Sequence, residues 1–182
     1  WIAGGVSNIS GEISFNYNIN YQKNDWTWEN KLIANFGLTK IKNQEIQKSS
    51  DLLRWNSILG KKANGYWYYS AFLDFNTQFA DDLNKDTKGP TKFLSPGYLQ
   101  FGPGMLWKKS DDLKVNIAPA TSRLIIVDKN LTQPNKAYFG IEEGKSTRYE
   151  LGASIGAYYR FDLMENISME NIKQRIPLKK IL

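Results

Sequence analysis

The chain has 182 residues, the size of one domain, with 24 Lys and Arg against 18 Asp and Glu, a net charge of +6. That mild, scattered positive charge does not call for nucleic acid, and with no Cys and no His there are no disulfides, no thiol nucleophile, no Cys-ligated metal and no Ser-His-Asp triad. No apolar run reaches the roughly 18 residues of a transmembrane helix.

The first predicted element is the clearest. From Glu12 to Gln22, Ile13, Phe15, Tyr17, Ile19 and Tyr21 alternate without a break with Glu12, Ser14, Asn16, Asn18, Asn20 and Gln22. Strict period-2 alternation marks a strand with one apolar and one polar face. Ordinary strands average about 5–6 residues; this one approaches the roughly 9–11 needed to cross a bilayer at a tilt. After the turn residues Asn24 and Asp25, the pattern returns on the other parity in Trp26, Trp28, Leu32, Ala34, Phe36 and Leu38, with Asn30 and Ile33 breaking it once on each face. Pairing Lys23 with Trp26 makes paired positions sum to 49 and sets Tyr21 against Trp28, Tyr17 against Leu32, Phe15 against Ala34 and Ile13 against Phe36. A one-residue slip would oppose apolar to polar throughout, so this register is well specified.

Two further hairpins are read the same way. A three-residue loop at Ala63, Asn64 and Gly65, with Gly65 left-handed, gives paired positions summing to 128 and places Arg54 opposite Asp74. A turn at Lys109, Ser110 and Asp111 joins strands over 98–108 and 112–118 with a sum of 220, matching Trp107 with Leu113 and Met105 with Val115. A seventh strand runs from Arg148 to Asp162, with Tyr149, Leu151, Ala153, Ile155, Ala157, Tyr159 and Phe161 on its apolar face. Short turns near 23–25, 63–65 and 109–111 alternate with longer polar connections near 40–50, 80–96 and 128–147. Such asymmetry belongs to outer-membrane barrels. Tyr21, Trp26, Trp28, Trp67, Tyr69 and Trp107 gather beside the short turns, as an interfacial aromatic girdle would.

Several strings resemble a family. Trp1-Ile2-Ala3-Gly4-Gly5, Trp26-Thr27-Trp28 and Thr77-Gln78-Phe79 are followed by Phe93-Leu94-Ser95-Pro96-Gly97-Tyr98-Leu99, Ala118-Pro119-Ala120-Thr121 and Met164-Glu165-Asn166-Ile167-Ser168. In that order they resemble the Bacteroidota domain-of-unknown-function family 3078. The resemblance implies an exported outer-membrane β-barrel and no particular reaction. In such proteins a strand precedes the Trp-x-x-Gly-Gly string and several follow the last one, so this chain reads as part of a barrel, mature or truncated at Trp1.

The expected fold is therefore all-β, an antiparallel up-and-down meander of about seven long strands forming part of a transmembrane-type barrel over residues 1–168. An irregular basic tail over 169–182 follows. The face opposite the aromatic one carries Glu12, Glu29, Lys31, Arg54, Asp74, Lys114, Arg148, Glu150, Arg160 and Asp162, five acids and five bases. These are expected to face the lumen, as cross-strand ion pairs or as the lining of a polar passage or solute site. Asp81, Asp82, Asn84 and Asp86 lack the spacing and glycine turn of a calcium loop and read as solvated, while Phe93, Ser95 and Pro96 are expected to fold their loop back onto the rim. Gly102-Pro103-Gly104 is no phosphate loop and leaves room inside or permits curvature. No catalytic, metal or cofactor site is expected, and no enzymatic activity. The expected location is the outer membrane, with its lipid and other envelope proteins as partners and no nucleic acid. The alternative is a soluble lipocalin-like barrel binding a hydrophobic ligand within its apolar face.

Overall fold

The computed structural model describes residues 6–81, 91–132, 137–164, 167–175 and 178–179, with side chains up to Phe161. The chain is all-β. Strands β1 (Asn8–Lys23), β2 (Trp26–Ile41), β3 (Ile46–Asn64), β4 (Trp67–Thr77), β5 (Gly97–Lys108), β6 (Leu113–Ile126), β7 (Thr147–Met164) and β8 (Ile167–Arg175) form one antiparallel meander in sequence order. β1 and β8 are the two ends of this order, and among the described residues no ladder joins them. A two-residue β9 (Leu178–Lys179) also pairs with β7.

The β1–β2 register is the expected one along its whole length, from Asn8 against Ile41 to Lys23 against Trp26. Asn24, at φ 52, and Asp25 form its turn. The other two hairpins keep the expected faces but slide by two residues. Trp55 meets Phe75 and Asn56 meets Asp74, because Gly65 and Tyr66 form a two-residue turn and the chain bulges between Lys62 and Asn64. Gly65 is left-handed, at φ 56, as expected. Arg54 consequently lies across from Asn76, not Asp74, whose Oδ2 accepts from Asn56 Nδ2 at 2.6 Å. The β5–β6 turn is likewise wider than three residues: Lys109 N and Ser110 N both donate to Leu113 O, and Trp107 pairs with Val115. The absence of cysteine makes this register directly testable. Asn56→Cys with Asp74→Cys should close a disulfide under mild oxidation, whereas Arg54→Cys with Asp74→Cys should not, since only directly opposed residues bring their Cα atoms within the roughly 4.4–6.8 Å a disulfide spans. Non-reducing electrophoresis reads the result.

Two other expectations need correction. The connection near 40–50 is not long: β2 and β3 continue to Ile41 and from Ile46, with residues 42–45 as the turn and left-handed Asn43 within it. Polar residues there belong to strand ends that continue the ladder. Within the segment from Met169, the described residues 169–175 and 178–179 are strand rather than irregular. β8 and β9 pair with β7 in one register, from Asp162 against Ser168 to Leu151 against Lys179, so the two strands form a single edge. Backbone pairing, which is independent of side-chain alternation, holds this edge.

The β5–β6 ladder breaks between Phe101 and Met105, opposite the stretch where β6 breaks its own pairing with β7, between Ala118 and Thr121. Here glycine is required. A Cβ on Gly102 would stand 2.3 Å from Ala120 O, and one on Gly104 would stand 2.6 Å from Ile117 O. The Gly102-Pro103-Gly104 string thus admits the close backbone of β6, and the bulge re-phases β6 so that Arg123 and Ile125 join the polar face.

The sheet curls around its polar face. Glu29 on β2 contacts Lys108 on β5 and Lys114 on β6, and Ser70 on β4 hydrogen-bonds Asn116 on β6 at 2.7 Å. In a flat sheet β2 and β6 would be about 19 Å apart, four spacings of about 4.8 Å, beyond the reach of a Glu–Lys pair. The burial pattern agrees with that curl. Thr27, Ser70, Thr121, Glu150 and Ser154 are buried, while Ile13, Tyr17, Trp28, Trp55, Phe101, Tyr149, Ile155 and Tyr159 are exposed. The apolar core is small. Ile125, Val127 and Ile141 pack with Tyr98 and Tyr138 where the long connections meet the sheet.

Candidate functional site

By register, Glu12, Glu29, Lys31, Arg54, Asp74, Lys114, Arg148, Glu150 and Arg160 lie on the inward, polar face. Asp162 pairs through its backbone with Ser168, and its side chain lies outside the described residues. The curl gathers some of these residues into two clusters.

The first stands near the short turns. Glu29 accepts from Lys108 Nζ at 2.7 Å and from Lys114 Nζ, so both carboxylate oxygens are taken by strands on the far side of the curl. Lys108 also reaches Asp111 at 2.8 Å, and Lys114 lies over the Tyr158 ring, 5.1 Å from its centre. The Lys108 ammonium is the main cause holding the Asp111 carboxyl below its usual range. The second cluster faces the long connections. Glu150, 5% exposed, receives Arg148 at 2.5 Å and Arg123 at 3.6 Å. Arg123 lies over the Tyr98 ring, and Arg148 donates to Gly140 O at 3.2 Å. The Nε atoms of both arginines are buried and have no hydrogen-bond partner.

Among the described residues Glu12 accepts a local bond from Ser14, on an exposed strand. Lys31 stands between Asn18 and Asn56, and Arg160 pairs with Asp112 at 2.5 Å. Lys108, Arg123 and Asn56 are site residues that the sequence reading missed. Lys108 shares the parity of Leu106 on β5 and could have been found from it. Arg123 lies beyond the bulge that resets the alternation. Asn30, which breaks the pattern of the outward face, is satisfied there, accepting from Trp55 Nε1 at 3.3 Å. Tyr21, Trp26, Trp28, Trp67, Tyr69 and Trp107 share that outward face by register.

The loop before β5 does fold back onto the sheet. Thr77 Oγ1 donates to Pro96 O at 3.1 Å and accepts from Leu94 N, while Gln78 Nε2 donates to Lys92 O and Ser95 O. Ser95 is buried and accepts from Asp128 N; Phe93 stays exposed. Of the acidic stretch, Asp81 is exposed, and Asp82, Asn84 and Asp86 lie outside the described residues. Among the described residues no group of three or more acidic side chains is placed to hold a metal ion, and no helix is long and apolar enough to cross a membrane.

Asp128 carries a pH expectation. The Asn130 backbone N–H, its largest influence, holds the carboxyl below its ordinary value, assisted by Lys92. A depressed folded value stabilises the fold above the ordinary carboxylate pKa, and that contribution is lost as pH falls through the depressed value. Acid should therefore loosen the 127–132 segment in the native protein, and Asp128→Asn should remove this step. Hydrogen exchange of the Asn130 amide across acidic pH checks it.

Residues 1–82 match the model of a family described as Protein of unknown function (DUF3078). That segment contains the Trp-Ile-Ala-Gly-Gly, Trp-Thr-Trp and Thr-Gln-Phe strings, so the family resemblance holds over β1 to β4. Neither a search of curated proteins nor one of solved structures found a match.

Proposed function

We propose that this chain forms a non-enzymatic outer-membrane β-barrel, or a segment of one, whose outward face meets lipid and whose polar face lines the interior. The observation that carries this reading is the inversion of burial. The curl encloses Glu29, Ser70, Thr121, Glu150 and Ser154, and exposes a continuous field of Ile, Leu, Phe, Tyr and Trp. Monomeric soluble proteins rarely expose apolar patches beyond a few hundred Å². Membrane barrels are apolar outside and polar within. Strands of 16 residues in β1 and β2 and 18 in β7 exceed the roughly 9–11 needed for a tilted crossing.

Within that reading, a structural or surface-assembly role is favoured over free solute passage. Glu29 bridges the interior to Lys108 and Lys114, and Arg123, Glu150 and Arg148 occupy the other end together with the Ile125–Val127–Ile141 cluster. The lipocalin-like alternative needs the apolar face inside the curl, whereas here it lies outside. Detergent dependence separates the two. The proposed barrel should be monodisperse only with detergent or lipid; a monodisperse species in plain buffer would overturn the proposal.

A further inference from the structure

The three described short turns lie side by side. Lys62 N donates to Asp25 O at 2.7 Å, Lys108 N to Tyr66 O at 2.8 Å, and Arg160 N to Asp112 O at 2.8 Å. Their charges are unequally satisfied. Asp111 is held by Lys108, Asp112 by Arg160 and Glu29 by Lys108 and Lys114. Lys23, Lys61, Lys62 and Lys109 are all exposed, and among the described residues no carboxylate lies within ion-pair distance of them. Asp25 is the one carboxylate of these turns not already engaged. Lys61 Nζ sits 5.6 Å from the centre of the Trp26 ring, which holds one ammonium at the level of the exposed Tyr21, Trp26, Trp28, Trp67 and Tyr69. At the opposite rim three of the six described lysines are paired, Lys92 with Asp128, Lys145 with Glu142 and Lys48 with Asp51, and Lys40 donates to Gln44 O.

We propose that this short-turn rim binds the headgroups of anionic phospholipids in the leaflet it meets. The proposal rests on the membrane-barrel reading. Long lysine stems lie along apolar surface while their ammonium groups rise to the headgroups, and each lysine near an anionic surface favours an anionic lipid by about fivefold. The aromatic rings fix the depth, and Lys23, Lys61 and Lys62, at the first two turns on either side of Trp26, supply the selectivity.

Tryptophan quenching in reconstituted vesicles tests both levels at once, because Trp26, Trp28, Trp67 and Trp107 lie in this band. The full chain is folded into phosphatidylcholine vesicles containing a minority of phosphatidylglycerol, with brominated chains on one lipid or the other. Phosphatidylglycerol should quench well above its bulk share, by about fivefold, and Lys23→Gln/Lys61→Gln/Lys62→Gln should return quenching to that share. All three side chains are exposed, and retention of the folded, heat-modifiable band on gels confirms that the variant still folds. Quenching by both lipids in proportion to their abundance would overturn the headgroup proposal and leave the membrane reading standing. Enrichment that survives the triple substitution would also overturn it. No quenching by either lipid would remove the membrane reading itself.

Discussion

Ile155→Arg should cost about 2–4 kcal/mol of unfolding free energy when the protein is folded into lipid vesicles. Ile155 lies at the middle of β7, is 55% exposed, and pairs with Ile117, itself on the outward face. In water, an arginine at such an open position is close to neutral, within about 0.5 kcal/mol. At the centre of a bilayer the guanidinium must be desolvated or must draw in water. The neighbouring residue is the control. Gly156 points to the polar face, and a Cβ there meets nothing within 4 Å, so Gly156→Ser should change little. Urea titration of both variants in vesicles measures the difference, and equal midpoints would contradict the assignment of the two faces.

Glu150→Ala should be the most damaging substitution on the polar face. The side chain of Glu150 is 7% exposed and carries the only carboxylate at ion-pair distance from Arg123 and Arg148 among the described residues. Removing one partner of a buried pair typically costs about 3–5 kcal/mol, because the remaining charge is left uncompensated. Here two cations are stranded, and their buried Nε atoms have no alternative acceptor. Each guanidinium keeps roughly a quarter of its side chain exposed (28% and 27%), so solvent relieves part of the penalty and a loss near the lower end, about 3 kcal/mol, is expected. Glu150→Ala/Arg148→Met should recover part of it by removing one of the two stranded charges. A single-variant loss below about 0.5 kcal/mol, the range of an ordinary surface site, would show that the cluster contributes little.

Much of this architecture is legible in the residues themselves. The alternation from Ile13 to Tyr21 against Trp26 to Leu38 rules out every odd slip of the first hairpin, because an odd slip opposes apolar to polar, and the tight Asn24-Asp25 turn selects the observed register. The same rule leaves even slips open, since a shift of two preserves both faces. The β3–β4 and β5–β6 registers were therefore misread by two positions while the faces were right. Turn geometry decides such slips, and Ala63-Asn64-Gly65-Tyr66 is compatible with more than one loop length. Alternation also fails across a bulge. The re-phasing around Ala118 to Thr121 depends on the close approach of β6 to Gly102 and Gly104, so Arg123 was not visible as a partner of Glu150. Cross-sheet pairs such as Glu29 with Lys108 and Lys114 depend on curvature, which no local pattern encodes. The strand pairing of 167–175 escaped notice because its side chains do not alternate cleanly, although its backbone continues the sheet.

The central claim is that the exposed aromatic and aliphatic face meets lipid. Fractionation of cells producing the full-length gene product, followed by a carbonate wash, tests it most directly. Retention in the outer-membrane pellet is the expected result, since carbonate strips peripheral proteins and leaves membrane-spanning barrels in place. Release into the soluble fraction would contradict the account and mean that the apolar face is covered by protein.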